Sequence, residues 1–234
     1  MLEREWWQDR YNTKPGIEAY LTTYSSILSP KVSKAEVETV ISLVVKSGSL
    51  SLVESVLDGF CGNARHAKQL VTLGISQITA FDYSPKMLKL ARLNLGGNGV
   101  RFLQQDARRL TQLPNSEFRL YYVLGNSAFG FFDNPRDDLA VAQEAYRVLK
   151  PGGLFVFDLV DHDYVSAQLK DHTTVNKENG VSVVRQRHTQ PSNGILRTGH
   201  KEFRLKGSPI RTKEVNHGYP TPTLIKNPQE ELHL

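Results

Sequence analysis

The chain has 234 residues and a mass of 26.4 kDa, a length that fits one large domain or one domain with a small addition. Hydrophobic residues make up 39% and charged residues 23%, an ordinary globular composition that excludes a disordered or collagen-like chain. A single cysteine excludes an internal disulfide framework, and no apolar run approaches the roughly 20 residues of a membrane helix. The charged segment 1–7 lacks the apolar core of a secretory signal, so we expect a cytoplasmic protein without a membrane partner.

Hydrophobic periodicity predicts that helices and strands alternate along the first two thirds of the chain. Apolar residues recur at helical spacing over 35–46, and Ser33 with Glu36 has the pattern of a capping box ahead of that helix. Short apolar runs predict five strands, at about 55–58, 77–81, 100–103, 118–124 and 154–160. Helices are predicted between them at about 64–72, 85–94 and 135–149. This alternation predicts an α/β fold with a doubly wound, mostly parallel sheet over residues 54–160.

The chain changes character after residue 160. Residues 172–206 are polar, with short strand-like stretches and the turn dipeptides Asn179-Gly180 and Asn193-Gly194. We therefore predict a small antiparallel β-ribbon of about three strands appended to the sheet.

The loop after the first predicted strand, residues 58–66, has the composition of a ligand-binding turn. Gly59 and Gly62 let its backbone turn sharply and approach a ligand closely. The loop is not a G-x-G-x-x-G sequence, and Asp58 would repel a pyrophosphate, whereas it suits an amine or a cation. These features favour S-adenosylmethionine over NAD as the ligand.

Three further loops should meet the first one, because ligands bind outside the carboxyl ends of parallel strands. Asp82 ends the second predicted strand, where a carboxylate can accept hydrogen bonds from both hydroxyls of a ribose. Asp106 follows the third, where it can accept a hydrogen bond from the exocyclic amine of a purine; the alternative is pairing with Arg108 or Arg109. Residues 125–127 follow the fourth strand, close to the centre of the expected site.

The chain resembles the class I S-adenosylmethionine-dependent methyltransferases in several motifs that occur in the family's order. The first and second motifs correspond to residues 56–67, VLDGFCGNARHA, and 81–88, FDYSPKML. Further matches are Asp106-Ala107 and RVLKPGG at 147–153. The aromatic residues resemble the pattern of a bacterial branch of the family that acts on small substrates; they are Trp6, Trp7, Tyr20, Tyr24 and those of the segment 129–132. The resemblance covers about residues 5–165 well and 166–218 loosely. It implies a Rossmann-like methyltransferase fold and in-line methyl transfer from S-adenosylmethionine to a small-molecule acceptor.

The resemblance also implies roles for individual residues. We expect the cofactor to be bound by Asp58, Gly59, Cys61, Gly62, Asp82, Tyr83, Met87, Asp106, Ala107 and Asn126, and the acceptor to be lined by Tyr20, Phe129 and Phe131. Phe60 and Ala64 stand where the family usually has glycine, and we predict that Gly59 supplies the missing flexibility. No catalytic group is identifiable. The seven histidines show no H-x-H or H-E-x-x-H spacing, so no metal site is expected.

Two alternatives remain open at this stage. Residues 185–213 carry eight Lys and Arg against one Glu, a net charge of +7, so the acceptor could be RNA or protein docked on a basic ribbon. Alternating charged and apolar residues are equally typical of a solvated sheet face, which makes nucleic acid the less favoured partner. The second alternative is a cofactor-binding protein without turnover, which the departures at Phe60 and Ala64 motivate.

The predicted organisation has four parts: a helical cap at 1–50, a cofactor-binding domain at 51–165, the ribbon at 166–218 and a tail at 219–234. The resemblance implies one more helix and a closing strand pair after the ribbon, but only 21 residues follow Lys213. We therefore expect the C-terminal strands to be missing, leaving an exposed sheet edge through which a homodimer could form.

Overall fold

The computed structural model describes residues 8, 11–48, 54–96, 99–125, 129, 132 and 134–159, together with the backbone of four strands between residues 172 and 220. Two compact units can be distinguished, one made of Met1–Ala128 with Arg136–Asp158 and one of Phe129–Pro135 with Leu159–Leu234. Among the described helices, none has both the length and the apolar character needed to cross a membrane. The four-part division predicted from the sequence stays a prediction.

A parallel sheet with flanking helices forms the first unit. The described helices are α1 (Lys14–Thr23), α2 (Pro30–Lys46), α3 (Arg65–Thr72), α4 (Pro85–Leu95) and α5 (Pro135–Val148). The strands are β1 (Val56–Gly59), β2 (Ile78–Asp82), β3 (Val100–Gln104), β4 (Phe118–Val123) and β5 (Leu149–Phe157). All pair in parallel, in the order β3-β2-β1-β4-β5. The predicted doubly wound parallel sheet is therefore confirmed.

Local sequence signals explain most of the helix boundaries. Ser84 caps α4 because its hydroxyl accepts a hydrogen bond from the Met87 amide at 3.1 Å, and Gly96 ends the helix with a φ of 61°. The predicted capping box of α2 is wrong. That helix begins at Pro30, and the hydroxyl of Ser29 accepts the hydrogen bond from the Val32 amide at 3.4 Å.

One face of the sheet packs against α2, α3 and α4. Buried apolar side chains of the three helices meet those of the strands in a single cluster that contains Val37, Val40, Val44, Val56, Ala64, Ala67, Leu70, Ile78, Ala91, Leu95, Leu120, Tyr122 and Val156. Apolar burial of this extent is the main driving force for folding. The cluster joins the N-terminal helix α2 to the helices that follow β1 and β2.

Aromatic rings lie along the opposite face. Tyr121 of β4 lies 6.1 Å from the ring of Phe81 on β2 and 4.7 Å from the ring of Phe155 on β5, measured between ring centroids. Gly59 of β1 lies between Phe81 and Tyr121, and a Cβ added there would be only 2.5 Å from Cε2 of Tyr121. Glycine at position 59 therefore makes room for the tyrosine.

Strand β5 begins earlier than predicted. Leu149 already pairs with Phe118, and the register then shifts before Leu154 pairs with Leu120. The segment 151–153, which separates the predicted helix 135–149 from the predicted strand 154–160, lies within the irregular first part of the strand, where Gly152 has a φ of 75°.

Four strands of the second unit are described by their backbone: β6 (His172–Glu178), β7 (Val181–Ser192), β8 (Ile195–Leu205) and β9 (Thr212–Pro220). They pair antiparallel in chain order.

Candidate cofactor site

The candidate site lies at the carboxyl ends of the central strands. Strands β1 and β4 are neighbours although β2 and β3 separate them along the chain, so the order reverses between them. Such a switch point opens a crevice for a ligand. Asp58 lies in β1, Asp82 ends β2, Asp106 follows β3 and Gly125 follows β4.

The loop after β1 has a left-handed backbone at three positions. The φ angles are 52° at Phe60, 54° at Gly62 and 59° at Ala64. Phe60 and Ala64 are the residues that replace the family's glycines, so the loop adopts glycine-like dihedral angles without glycine there, at a cost of about 1–2 kcal/mol per residue. The prediction that Gly59 supplies this flexibility is wrong: Gly59 lies in β1, and its φ is outside the left-handed region.

Asp82 connects this loop to the end of β2. Its Oδ2 accepts a hydrogen bond from the Gly62 amide at 2.8 Å, and its Oδ1 accepts one from the Ser84 amide at 2.8 Å. Burial raises the pKa of Asp82 to about 6, and the backbone amides of Ser84, Gly62 and Tyr83 only partly offset that effect. A carboxylate has about four lone-pair positions, so Asp82 can still accept a hydrogen bond from a ligand hydroxyl.

Asp58 is buried, with 1% of its surface exposed. Burial raises its pKa to about 6, although His66, Tyr122 and the backbone amide of Ala67 favour the charged form. Since Ala67 is in the first turn of α3 and Ala64 provides no side-chain cap, Asp58 also stabilises the start of that helix. Its Oδ2 is buried and has no hydrogen-bond partner among the described residues.

Cys61 of the loop after β1 and Met87 of the adjacent helix α4 are both buried. The Cys61 amide donates to the carbonyl oxygen of Phe81 at 2.9 Å, while its side chain is buried against Ala80 and Leu88. Burial raises the pKa of the Cys61 thiol well above its usual value. Met87 is buried, and a Cβ added at Gly62 would lie 3.4 Å from its Cε. The Cys61 side chain thus packs in the core, which leaves its backbone as the part that can contact a cofactor.

Asp106 is held by its neighbour Arg108, the alternative that the sequence had left open. The backbone amide, Nε and Nη2 of Arg108 all donate to the Asp106 carboxylate, at 2.7–3.2 Å. Nη1 of Arg108 also contacts Asp137 of α5 at 3.2 Å. Ala107 is buried beside this arrangement. The loop after β3 is therefore fixed to α5 by charged groups.

A second charged contact holds the same loop. Glu144 of α5 accepts a hydrogen bond from the Leu110 amide at 2.7 Å, and Arg147 donates to the carbonyl oxygens of Leu110 and Leu113 at 2.9 Å. The Arg147 hydrogen bond is the main reason that the pKa of Glu144 lies below its usual value. Arg147 belongs to the RVLKPGG motif, which thus positions one wall of the site.

The N-terminal segment approaches the site at Tyr83 and Ser84. The Ser84 hydroxyl donates to the carbonyl oxygen of Tyr11, and Gln8 donates to the Tyr83 hydroxyl at 3.3 Å. The ring of Tyr20 lies 5.3 Å from that of Tyr11 and 5.3 Å from that of Tyr24, between centroids. Tyr20 thus belongs to an aromatic cluster that is joined to the second motif through Tyr11.

The remaining predicted residues stay untested. Asn126 and Phe131 lie outside the described residues, and Phe129 belongs to the second unit.

A charged contact between α2 and α3 was not predicted from the sequence. Glu36 contacts the guanidinium of Arg65 and lies 2.9 Å from Nε2 of His66, while Arg65 also donates to the Ser33 hydroxyl at 3.0 Å. Burial alone would raise the pKa of Glu36, but the hydrogen bonds from His66 and Arg65 lower it to about 2. Glu36 and Arg65 are far apart along the chain, so no local pattern could have paired them.

The site also includes an open cavity of about 560 Å³ at the ends of β2 and β3. It is lined by Tyr83, Gln104, Gln105, Asp106, Arg109, Thr111 and Gln112. These features fit S-adenosylmethionine. The unpaired Oδ2 of Asp58 suits its cationic methionine end, the remaining lone pairs of Asp82 suit its ribose hydroxyls, and the cavity beside Tyr83 suits its base.

Comparison with known proteins agrees with this assignment. Residues 57–157 match the family model described as a methyltransferase domain. The demethylmenaquinone methyltransferase of Leptospira interrogans is 34% identical over 107 residues, which are 43% of this chain and 41% of that protein. The chain spans about half the length, or less, of the curated relatives it matches.

Solved structures share the fold. An S-adenosylmethionine-dependent methyltransferase from Clostridium acetobutylicum superposes with a TM-score of 0.67 at 19% identity, covering 92% of this chain and 84% of that one. A S-adenosylmethionine-bound amino pentose methyltransferase from Micromonospora echinaspora gives 0.67 at 18% identity, covering 91% and 85%. The sheet order agrees with these matches: residues 57–157 are similar to a methyltransferase domain, and the chain shares the fold of the S-adenosylmethionine-dependent methyltransferases.

Proposed function

We propose that this chain transfers the methyl group of S-adenosylmethionine to a small-molecule acceptor. The observation that carries the proposal is the pair of carboxylates formed by Asp58, buried within β1, and Asp82, partly exposed at the end of β2. Oδ2 of Asp58 has no hydrogen-bond partner among the described residues, and Asp82 accepts a hydrogen bond from the Gly62 amide of the loop after β1. Two carboxylates raised to a pKa of about 6 without a ligand are suited to binding a cation and two hydroxyls.

The chain's own residues would bind, orient and shield the reactants. The bound cofactor supplies a methyl group on a positively charged sulfur. Asp58 would attract the cationic end, and Asp82 would fix the ribose, so that the reactive end has one orientation. The aromatic cluster of Tyr11, Tyr20 and Tyr24 would help to exclude water on the side of Tyr83 and Ser84.

The small-molecule acceptor is supported by the names of the relatives. One curated relative is a demethylmenaquinone methyltransferase, and one structure with this fold is an amino pentose methyltransferase. Tyr20, Phe129 and Phe131 remain the residues proposed to line the acceptor. An RNA or protein acceptor is the second candidate, because residues 185–213 have a net charge of +7.

Calorimetry with S-adenosylmethionine and S-adenosylhomocysteine tests the proposed cofactor site. We expect the wild type to bind both, and Asp82→Asn to bind them at least tenfold more weakly, because the amide has a single acceptor oxygen. Glu38→Gln is the matched control, since Glu38 is an exposed carboxylate of α2. Failure of the wild type to bind either ligand would refute the proposal.

The acceptor is tested next with methyl-labelled cofactor. Demethylated quinols and amino sugars represent the small-molecule class, and bulk RNA and protein extract represent the alternatives. Label in the small-molecule fraction alone supports the proposal. Salt-sensitive transfer to RNA would move the assignment to the basic segment 185–213. Tight cofactor binding without transfer to any acceptor would favour a protein without turnover.

A further inference from the structure

Glu36 of α2 contacts the first turn of α3, directly after the loop that follows β1. Its Oε2 accepts hydrogen bonds from the guanidinium of Arg65 and from Nε2 of His66, the latter at 2.9 Å. The Ser33 hydroxyl, one turn earlier in α2, accepts a further hydrogen bond from Arg65 at 3.0 Å. The two residues that begin α3 are therefore both attached to α2, a helix outside the matched segment 57–157.

The residue just before this attachment has a backbone conformation that its side chain does not favour. Ala64 precedes the first residue of α3, with a φ of 59° and a ψ of 35°. A left-handed backbone is unfavourable for alanine, and such a conformation persists only where the surrounding structure holds it. Ala64 provides no side-chain cap and is fully buried in the apolar cluster. The charged contacts that fix its position relative to α2 therefore come from Arg65 and His66.

The backbone of the same loop contacts the carboxylate proposed to bind the ribose. The Ala64 amide donates to the carbonyl oxygen of Cys61 at 2.7 Å, which closes the turn. Within this turn, the Gly62 amide donates to Oδ2 of Asp82 at 2.8 Å. If Ala64 left the left-handed region, the turn would open and the Gly62 amide would move away from Asp82. The conformation of Ala64 is thus linked to the geometry of the proposed cofactor site.

We propose that Glu36 is a positioning residue for cofactor binding: by holding the first turn of α3 against α2, it keeps Ala64 in a conformation that glycine adopts without strain. Burial alone would raise the pKa of Glu36, but hydrogen bonds from His66 and Arg65 lower it to about 2. The carboxylate is therefore charged near neutral pH, and charge-assisted hydrogen bonds are the stronger ones. The chain thus compensates for its alanine at position 64 with a contact from outside the matched segment. The inference rests on the proposed function only for its effect on affinity.

The test combines Glu36→Ala, which removes the accepting carboxylate, with Ala64→Gly, which removes the strain that the contact has to hold. Glu38→Ala is the matched control on α2, because Glu38 is an exposed carboxylate two residues further along the same helix. Ser116→Gly is the matched control for the glycine. Ser116 is exposed and has a φ of 52°, but it precedes β4 and so lies at the edge of the sheet opposite the site. Urea denaturation checks that each variant folds, and Glu36→Gln replaces the alanine variant if that one unfolds.

Hydrogen exchange at the amides of residues 62 and 64 in the ligand-free protein measures how often the loop opens, and calorimetry measures the affinity for S-adenosylhomocysteine. We expect Glu36→Ala to lose about tenfold in exchange protection at both amides and about tenfold in affinity, because the loop then has the binding conformation only part of the time. Adding Ala64→Gly should restore most of both. Adding Ser116→Gly should restore neither, although it relieves the same kind of strain, and Glu38→Ala should match the wild type.

Exchange protection or affinity that stays at the wild-type value in Glu36→Ala would overturn the proposal. Equal recovery from Ala64→Gly and Ser116→Gly would also overturn it, because Glu36 would then act on global stability rather than on the loop. If the wild type does not bind S-adenosylhomocysteine, the proposed function fails, while the exchange measurements still decide whether Glu36 holds the loop. The two failures are therefore distinguishable.

Discussion

Asp58→Asn should stabilise the ligand-free protein and weaken cofactor binding at the same time. Asp58 is 1% exposed, and its Oδ2 has no partner among the described residues. Burial is the largest influence on this carboxyl group and raises its pKa to about 6. Asparagine has nearly the same shape and carries no charge, so it imitates the protonated form that the fold favours.

The expected magnitude follows from that pKa. An aspartate has an ordinary pKa of 3.8, and the rise to about 6 in the folded protein corresponds to about 3 kcal/mol. Because the folded-state pKa is raised, the stability that Asp58 contributes is fully present below about 3.8 and is lost as the pH rises through about 6. The asparagine variant should therefore exceed the wild type by up to about 3 kcal/mol at pH 7.5 and by about 1 kcal/mol at pH 4.5.

Urea denaturation of both proteins at pH 4.5 and 7.5 measures this difference, and Glu38→Gln serves as the exposed control. Calorimetry at pH 7.5 should show at least a tenfold weaker affinity for S-adenosylmethionine, since the variant cannot neutralise its cationic end. A variant that is less stable than the wild type at pH 7.5, or a gain that does not depend on pH, would refute this reasoning.

Three further predictions concern the sheet, the ribose carboxylate and the contact of α2 with α3. Gly59→Ala should lower the free energy of unfolding by about 1–3 kcal/mol, because the added methyl group would lie 2.5 Å from Cε2 of Tyr121; an unchanged urea midpoint would contradict this. Affinity for S-adenosylhomocysteine should fall as the pH drops below about 6, because the pKa of Asp82 is raised to about 6 and the carboxylate is then protonated. Calorimetry between pH 5 and 8 would show a flat profile if the carboxylate were not used. Glu36→Gln should cost about 1–2 kcal/mol near pH 7, after discounting for solvent screening, and progressively less at acid pH. The reason is that hydrogen bonds from α3 outweigh burial and hold the pKa of Glu36 at about 2. The contribution of Glu36 to the free energy of unfolding is therefore present above about pH 4.5 and is lost towards pH 2. Thermal melting at pH 3 and 7 tests this.

The sequence by itself predicted the order of the helices and strands from α2 to β5 and their parallel sheet, but not α1. Apolar runs at β1, β2 and β4 predict buried strands because burial on both faces requires continuous hydrophobicity. The Ser84-Pro85 pair predicts the start of α4 because its hydroxyl and ring satisfy the first helical turn locally. The positions of Asp58 and Asp82 follow as well, since residues at the ends of parallel strands share one edge of the sheet.

The tertiary structure alone decided how the site is held together. The left-handed backbone at Phe60 and Ala64 depends on the surrounding packing, because neither side chain favours that conformation. The contacts of Arg108 with Asp106 and Asp137 depend on where α5 lies relative to the loop after β3. The lack of a partner for the Gln105 amide among the described residues likewise depends on the packing around that loop. Periodicity reports which face of an element is apolar, whereas burial of a charge or an amide depends on contacts between residues distant in the chain.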